Sequence, residues 1–174
     1  MNQLKENPAD ELLDIVDEYD RPVAILSRSK VYEQKLKTFR VINAFIINSE
    51  GKLWIPRRSP HKRLCPSLLD VSVGGHVSQG ETYDEAFARE LCEELNLYIP
   101  EINYEFAAYF SPFIQTNLTA FMKVYKIYTD KTPEYNKEDF TEAFWLSPKE
   151  LLKKIESGDK GKSDLDKLVK LLFR

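Results

Sequence analysis

Residues 75–97 of this 174-residue chain, GHVSQGETYDEAFARELCEELNL, join a glycine turn to a helix with one apolar side and one acidic side. Successive residues of an α-helix are about 100° apart. At that spacing one broad arc contains Phe87, Ala88, Leu91, Cys92 and Leu95. The opposite arc contains Ala86, Arg89, Glu90, Glu93 and Glu94. The pattern therefore predicts a helix that packs on a core through one face and collects carboxylates on the other.

The acidic arc predicts a metal site. Glu90 stands three and four positions before Glu93 and Glu94, so the three side chains share a patch with roughly 5–6 Å between neighbours. Carboxylates this crowded repel one another unless a cation binds, and Mg²⁺ or Mn²⁺ prefers oxygen ligands of this kind. Arg89 lies beside them, where its planar guanidinium can hold one carboxylate in a bidentate pair.

The sequence also marks the ends of this helix. Thr82 and Glu85 form a T-x-x-E capping box at its start, and Asn96 follows the last apolar turn, where asparagine suits a left-handed cap. Upstream, residues 71–75 indicate a short strand that runs into a tight glycine turn. Bare backbone in that turn can approach a phosphate or offer a carbonyl oxygen to a metal ion.

The chain resembles the Nudix family through the spacing G-x5-E-x7-R-E-L-x-E-E, which runs from Gly75 to Glu94 inside a predicted Nudix box at 75–97. A solvated acidic helix is the simpler alternative, but six fixed positions in register rarely coincide by chance. Asn96 departs from the pattern, because the family usually has glycine there, and this affects only the helix end. The resemblance implies an α+β fold, a Nudix-type α/β/α sandwich with a mixed central β-sheet.

The resemblance further implies a metal-dependent hydrolase that cleaves a diphosphate linkage in a nucleotide or another X-linked diphosphate. The metal ion would be Mg²⁺, with Mn²⁺ as a substitute. Its ligands would be Glu90, Glu93, Glu94, the carbonyl of Gly74 and, unless it orients the loop instead, Glu81.

The remaining roles that the resemblance implies are catalysis and substrate binding. Glu90 or Glu93 would act as the general base, and Arg89 would hold a glutamate in place. Substrate contacts would come from Gly75 and His76. A later acidic ligand would be Glu138 or Glu142.

Composition predicts a single domain over 11–174, preceded by a mobile segment at 1–10, because 43% hydrophobic content suffices for one core. A net charge of −3 argues against stable nucleic-acid or membrane-surface binding, and leaves a small phosphorylated substrate as the expected partner. No apolar run approaches the ~20 residues of a membrane span, so we expect a cytoplasmic protein. A homodimer stays open. Cys65 and Cys92 match no metal or redox spacing with the two histidines.

Along the chain, apolar runs at 12–16 and 23–26 predict a first hairpin, and 41–48 with 52–56 predict a second. Later strands are expected at 102–109, 117–129 and 142–146. A second capping box at 147–150 predicts a helix from Pro148 to about Ser157, and a final amphipathic helix follows at 163–173.

A basic loop follows the second hairpin and contains Arg57, Arg58, Lys62 and Arg63. A solvated loop is the simpler interpretation. Beside an acidic metal helix, however, such cations are what a diphosphate requires, because the metal neutralises only part of its charge. We therefore predict that Arg57 and Arg58 contact phosphate.

Further segments resemble the Nudix branch that includes isopentenyl diphosphate isomerase: D-E-x-x-R-P at 17–22, I-P-R-R-S at 55–59 and L-D-V-S-V-G-G-H-V at 69–77. An isomerase is therefore one alternative function. Such enzymes carry a catalytic cysteine where this chain has Gly74, and histidine ligands where it has Tyr32, Phe39 and Arg40. Only His76 of that set remains. A catalytically silent Nudix-like binding module is a second alternative, although such a module has no reason to keep three mutually repelling carboxylates.

Overall fold

The computed structural model describes residues 10–173, so the predicted mobile segment 1–10 lies, except for Asp10, outside the described residues. Within this range the strands are β1 Leu12–Val16, β2 Pro22–Ser27, β3 Arg40–Ile47, β4 Leu53–Arg58, β5 Val73–His76, β6 Asn103–Phe110, β7 Phe121–Tyr128 and β8 Phe140–Leu146. The helices are α1 Arg28–Glu33, α2 Tyr83–Leu95, α3 Pro148–Glu156 and α4 Leu165–Leu172, with a 3₁₀ turn at Ile99–Glu101.

Six of the strands form a mixed sheet in the order β6-β7-β3-β4-β8, with β5 added on β3. β3 runs parallel to β7 over its whole length, whereas its contacts with β4 and β5 are antiparallel. The first two strands form a separate two-stranded sheet, which confirms the first predicted hairpin.

Alternate residues of β3 divide the molecule into layers, because successive side chains of a strand point to opposite faces. Ile42 and Ile46 join the core that contains Phe87 of α2. Phe45 joins the second core, which contains Leu168 of α4. The sheet is therefore enclosed by α2 on one face and by α3 and α4 on the other, and the predicted α/β/α sandwich with a mixed sheet is confirmed.

The second hairpin differs from the prediction in how its strands pair. β3 and β4 share one registered pair, Ile47 with Leu53, and then separate. The outer part of β3 pairs instead with β5, from Val41 opposite His76 to Ala44 opposite Val73. Gly74 and Gly75 lie within β5 and not in the tight turn that we predicted, so this separation brings the glycine pair to the centre of the sheet.

Other elements follow local sequence signals with small shifts of their ends. α3 and α4 occupy the predicted helical segments, while the predicted strand at 117–129 begins only at Phe121 because residues 111–119 form turns. α1 was not predicted from the sequence, since its six residues bury only Val31 and show no apolar period. No helix among residues 10–173 is long and apolar enough to cross a membrane.

Candidate functional site

A cleft of about 1140 Å³ opens beside Gly74 and Gly75, the glycine pair of β5. The pair lines the cleft together with Glu90 and Glu94 of α2. Further lining residues include parts of the segment before β1, of α1 and the loop after it, of β3, of the loop after β4, and of the segment from residue 162 into α4. Acidic and basic groups therefore line one space that is large enough for a small phosphorylated molecule.

The ends of α2 are capped as predicted. The side chain of Thr82 accepts a hydrogen bond from the Glu85 N–H, and the Glu85 carboxylate accepts one from the Thr82 N–H. Asn96 ends the helix in the left-handed conformation, with φ of 55°. These local bonds fix where the helix begins and ends, and hence the position of its carboxylates relative to the glycine pair of β5.

Part of the acidic side of α2 faces the protein rather than solvent. Ala86, which we placed on the acidic arc, is fully buried, and Glu94 two turns later is only 4% exposed. The Gly74 N–H donates a hydrogen bond of 3.1 Å to the carboxylate of Glu94. The simpler alternative of a solvated acidic helix therefore fails at these positions, because this arc packs against β5.

Gly75 leaves the space that Glu90 occupies. A Cβ atom built on Gly75 would lie 1.9 Å from Oε1 of Glu90, which no real contact allows. At Gly74 a Cβ would meet Val71 Cγ2 at 2.8 Å. Glycine is thus required at 75 by close approach of a carboxylate to the backbone, and at 74 by the packing of Val71.

Arg89 holds the acidic residues together. Its guanidinium donates to both carboxylate oxygens of Glu81, at 2.8 and 2.9 Å, and to Glu90 at 2.7 Å. It also contacts the Glu93 carboxylate at 3.4 Å and the carbonyl of His76 at 3.0 Å. Glu81 in turn accepts from the Ser78 N–H. Of its two predicted roles, Glu81 here occupies the one that orients the loop and Arg89.

The two buried carboxylates are electrostatically costly. Burial raises the pKa of Glu90 to about 7, against the opposing influence of Arg89. Burial and the neighbouring charge of Glu90 raise the pKa of Glu94 well above its usual range. Glu93 differs, since its side chain is 57% exposed. Among residues 10–173 no group of three or more histidine, cysteine or acidic side chains is arranged so that it could hold a metal ion.

His76 stands beside this acidic group in an aromatic setting. Its ring lies 5.8 Å from that of Tyr32 and 5.7 Å from that of Phe39, and its Nε2 is 2.9 Å from the Tyr32 hydroxyl. Burial lowers the pKa of His76 to about 3, so the imidazole is neutral. Tyr32 and Phe39 both line the cleft, whereas Arg40 binds Asp20 outside it.

The structure holds both arginines of the basic loop in ion pairs. Arg57 does not line the cleft, and its guanidinium forms a bidentate pair with Asp159, at 2.7 and 2.8 Å, and a further pair with Glu142. Arg58 lines the cleft but is buried against Asp70, at 2.6 Å. Glu142 is likewise held on β8 opposite Arg57, and the structure does not bring it to α2. Asp70 is a cleft residue that the sequence analysis did not single out.

The bidentate pair gives a prediction for Arg57. Arg57→Met and Asp159→Asn are each expected to lower the free energy of unfolding by ~1 kcal/mol, since the pair is only partly exposed and bidentate. For a chain of this length the melting temperature should fall by about 2–4 °C. Thermal unfolding of the two variants and the double variant measures this. If the double variant is no less stable than either single variant, the two residues form the pair described here. If only Arg57→Met loses substrate affinity, that result would favour the predicted contact of Arg57 with phosphate.

Glu138 lies on the loop that closes over the end of α2. The N–H and the side-chain amide of Asn136, two residues earlier, donate to the carbonyls of Glu94 and Glu93. The structure therefore leaves Glu138 near the acidic helix, in contrast to Glu142.

Comparison with protein-family models matches residues 37–166 to the NUDIX domain. The matched range contains β5 with its glycine pair, α2 and most residues that line the cleft, but not those at 10–36. The chain belongs to the Nudix family. It is 52% identical over 163 residues to an uncharacterized Nudix hydrolase of Nostoc sp., a match that covers 94% of this chain and 96% of the relative.

A crystal structure supports the same assignment. The Deinococcus radiodurans protein DR0079 is 48% identical to this Nudix hydrolase and superposes with a TM-score of 0.88, over 94% of this chain and all of the other. A more distant relative is the isopentenyl-diphosphate Delta-isomerase of Kocuria rhizophila, 24% identical over 159 residues, which cover 88% of this chain and 87% of the isomerase. The chain is thus a Nudix hydrolase that also retains similarity to the isomerase branch.

Proposed function

We propose that this Nudix hydrolase cleaves a diphosphate linkage in a nucleotide or another X-linked diphosphate that binds in the cleft. The observation that carries the proposal is the meeting of Glu90 and Glu94 with the glycine pair at one side of that cleft. Basic side chains line the same space, so a phosphorylated ligand would meet both carboxylates and cations there.

The residues present fit a hard divalent cation. Nudix hydrolases generally use one, and Glu90, Glu93 and Glu94 offer carboxylate oxygens, the donors that Mg²⁺ and Mn²⁺ prefer. The raised pKa values of Glu90 and Glu94 mark two carboxylates that lack enough positive charge nearby. We therefore assign Mg²⁺ to these three side chains, with backbone oxygen at Gly74 as a further donor. A metal ion bound there would neutralise phosphate charge and lower the pKa of the attacking water.

The chain's own groups supply positioning and proton transfer. Arg89 fixes Glu90 from one side while Gly75 gives it room on the other, so this carboxylate is aimed into the cleft. We assign Glu90 rather than Glu93 as the general base, because Glu93 is mostly solvent-exposed. Glu90 would take the proton of the attacking water, and the neutral, buried His76 would border the substrate without adding charge.

The isomerase alternative makes a different prediction. At position 74 a side chain would collide with Val71, and Tyr32 and Phe39 place aromatic rings around His76 where that branch has metal-binding histidines. We expect no formation of dimethylallyl diphosphate from isopentenyl diphosphate when the product is followed by chromatography. Isomer formation at a rate above the no-enzyme control would contradict this and favour the isomerase.

A substrate panel tests the proposed activity. Nucleoside di- and triphosphates, nucleotide sugars, dinucleotide cofactors and isoprenoid diphosphates are each incubated with enzyme and Mg²⁺ or Mn²⁺, and released phosphate or monophosphate is measured. Metal-dependent release from at least one class is expected. If no class is hydrolysed and the compounds still bind, the silent binding module becomes the better account.

A further inference from the structure

Most cations that line the cleft are already engaged by acidic partners. Arg58 donates to Asp70 at 2.6 Å and to the carbonyl of Leu64. The Lys62 ammonium is hydrogen-bonded to Asp139. A guanidinium or ammonium held this way must give up its bond before it can bind phosphate.

The cations near α1 are engaged or remote from the acidic group. Arg28 contacts Glu11 at 3.3 Å, and the Lys37 ammonium donates to the Thr116 carbonyl. Lys35 and Arg63 are exposed, so water and salt screen their attraction for an anion.

Lys162 is different, because its partly exposed side chain is only weakly held. Its ammonium lies 3.5 Å from Asp70 Oδ1, and its side chain makes no hydrogen bond within residues 10–173. Asp70 does not depend on this contact, since it already accepts from Arg58 and from the Val71 N–H. Lys162 also exerts the largest charge effect on His76, which places its ammonium near the residue that follows the glycine pair.

The backbone that carries Lys162 is fixed to the site. Its N–H donates to the Leu69 carbonyl at 2.8 Å, and the Leu69 N–H donates to the Lys160 carbonyl at 3.0 Å. Residues 69–72 lead into β5, which contains the glycine pair. The Arg57–Asp159 pair anchors the preceding residues of the same segment. These bonds hold the backbone at Lys162 in place beside the cleft, while its ammonium has only the weak contact with Asp70.

We propose that Lys162 is a substrate-binding residue that contacts the diphosphate group in the cleft. The inference rests on the proposed function, and it adds a cation from the segment between α3 and α4, outside the box at 75–97. The ammonium would leave its 3.5 Å contact with Asp70 and donate to phosphate oxygens, while Arg58 continues to neutralise Asp70.

The test is calorimetric titration with inorganic pyrophosphate in the presence of Mg²⁺, on the full-length protein and three variants. Lys162→Met should weaken pyrophosphate binding about tenfold, as expected when one charge-assisted hydrogen bond is lost. Lys162→Arg keeps the positive charge and should stay within about threefold of the unmodified protein. Lys160→Met is the matched control, since Lys160 is exposed two residues earlier and does not line the cleft.

The outcomes separate this inference from the proposed activity. Equal pyrophosphate affinity for Lys162→Met and Lys160→Met would overturn the role of Lys162, even if the enzyme hydrolyses diphosphates normally. Absence of pyrophosphate binding to the unmodified protein at millimolar concentration would overturn it too. With an active substrate from the panel, Lys162→Met should raise KM more than it lowers kcat, and its melting temperature should match that of Lys160→Met. If the proposed function is wrong but the role of Lys162 is right, no substrate should be hydrolysed, while Lys162→Met should still weaken pyrophosphate binding.

Discussion

Replacing Glu90 with glutamine is expected to lower kcat by ~10²–10⁴-fold at saturating Mg²⁺, the usual range for loss of a general base. Glutamine keeps the shape of the side chain and an oxygen for Arg89, but it cannot accept the proton of the attacking water. The measurement is steady-state hydrolysis of whichever substrate the panel identifies. Glu156→Gln is the control, because it removes the same charge from the end of α3, on the other face of the sheet.

Glu90→Gln is expected to lower kcat but to favour the folded state of the metal-free protein as pH rises. A carboxyl group whose pKa is raised in the folded state keeps a proton that the unfolded chain releases. Ionisation of Glu90 should therefore lower the stability of the metal-free protein as pH rises from about 4.5 to about 7, the pKa of Glu90, whereas His76, whose pKa is lowered, acts in the opposite direction. Glu90→Gln should remove the Glu90 contribution, so the free energy of unfolding of the variant should rise relative to that of the unmodified protein over this pH range, while His76 contributes equally to both proteins. If kcat is near normal in Glu90→Gln, or the pH dependence of unfolding is unchanged, then Glu90 is not the buried base described above.

Gly75→Ala is expected to lower kcat by about 10²-fold while the protein still folds. The new Cβ would lie 1.9 Å from Glu90 Oε1, and the carboxylate, being the flexible end of a side chain, must move away. A displacement of about 1 Å at a reacting group costs a factor of this order. Hydrolysis assays and circular dichroism measure the two parts of the prediction.

A control for this change is Gly51→Asn. Gly51 lies in the turn between β3 and β4 with φ of 74°, and no atom lies within 4 Å of the position that a Cβ would take there. Asparagine tolerates this left-handed conformation, so the variant should retain activity. Full activity in Gly75→Ala would show that catalysis does not depend on the position of Glu90 against Gly75.

Local signals in the sequence predicted local structure well. The capping boxes at Thr82 and Ser147 and the left-handed cap at Asn96 involve residues within four positions of one another, so nothing elsewhere in the chain is needed to form them. The bounds of α2 followed from the same short stretch, whereas the glycines before it lie in β5 and not in the predicted turn. The mixed sheet and its two helical layers agree with the order of the predicted strands and helices as well as with the resemblance to the Nudix family.

Local patterns did not show contacts whose partner lies far along the chain. Arg57 looked free to bind phosphate, but Asp159, 102 residues later, takes its guanidinium. Helical spacing separated the two arcs of α2 correctly at Phe87 and Leu91, yet it could not show that β5 would cover Ala86 and Glu94. Lys162 stood in a stretch that indicated only a break between helices. Its lysine-rich sequence carries no sign of the bonds to Leu69 that bring it to the cleft.

The central claim is that the carboxylates of α2 beside the glycine pair bind a divalent cation together with a diphosphate. Titration of Mn²⁺ into the protein with inorganic pyrophosphate, followed by electron paramagnetic resonance of free Mn²⁺, measures this directly. The account predicts saturable Mn²⁺ binding that Glu94→Gln weakens at least tenfold, a factor equal to ~1.4 kcal/mol, and that Glu156→Gln leaves unchanged. Equal Mn²⁺ binding by both variants, or no binding by the unmodified protein, would contradict it.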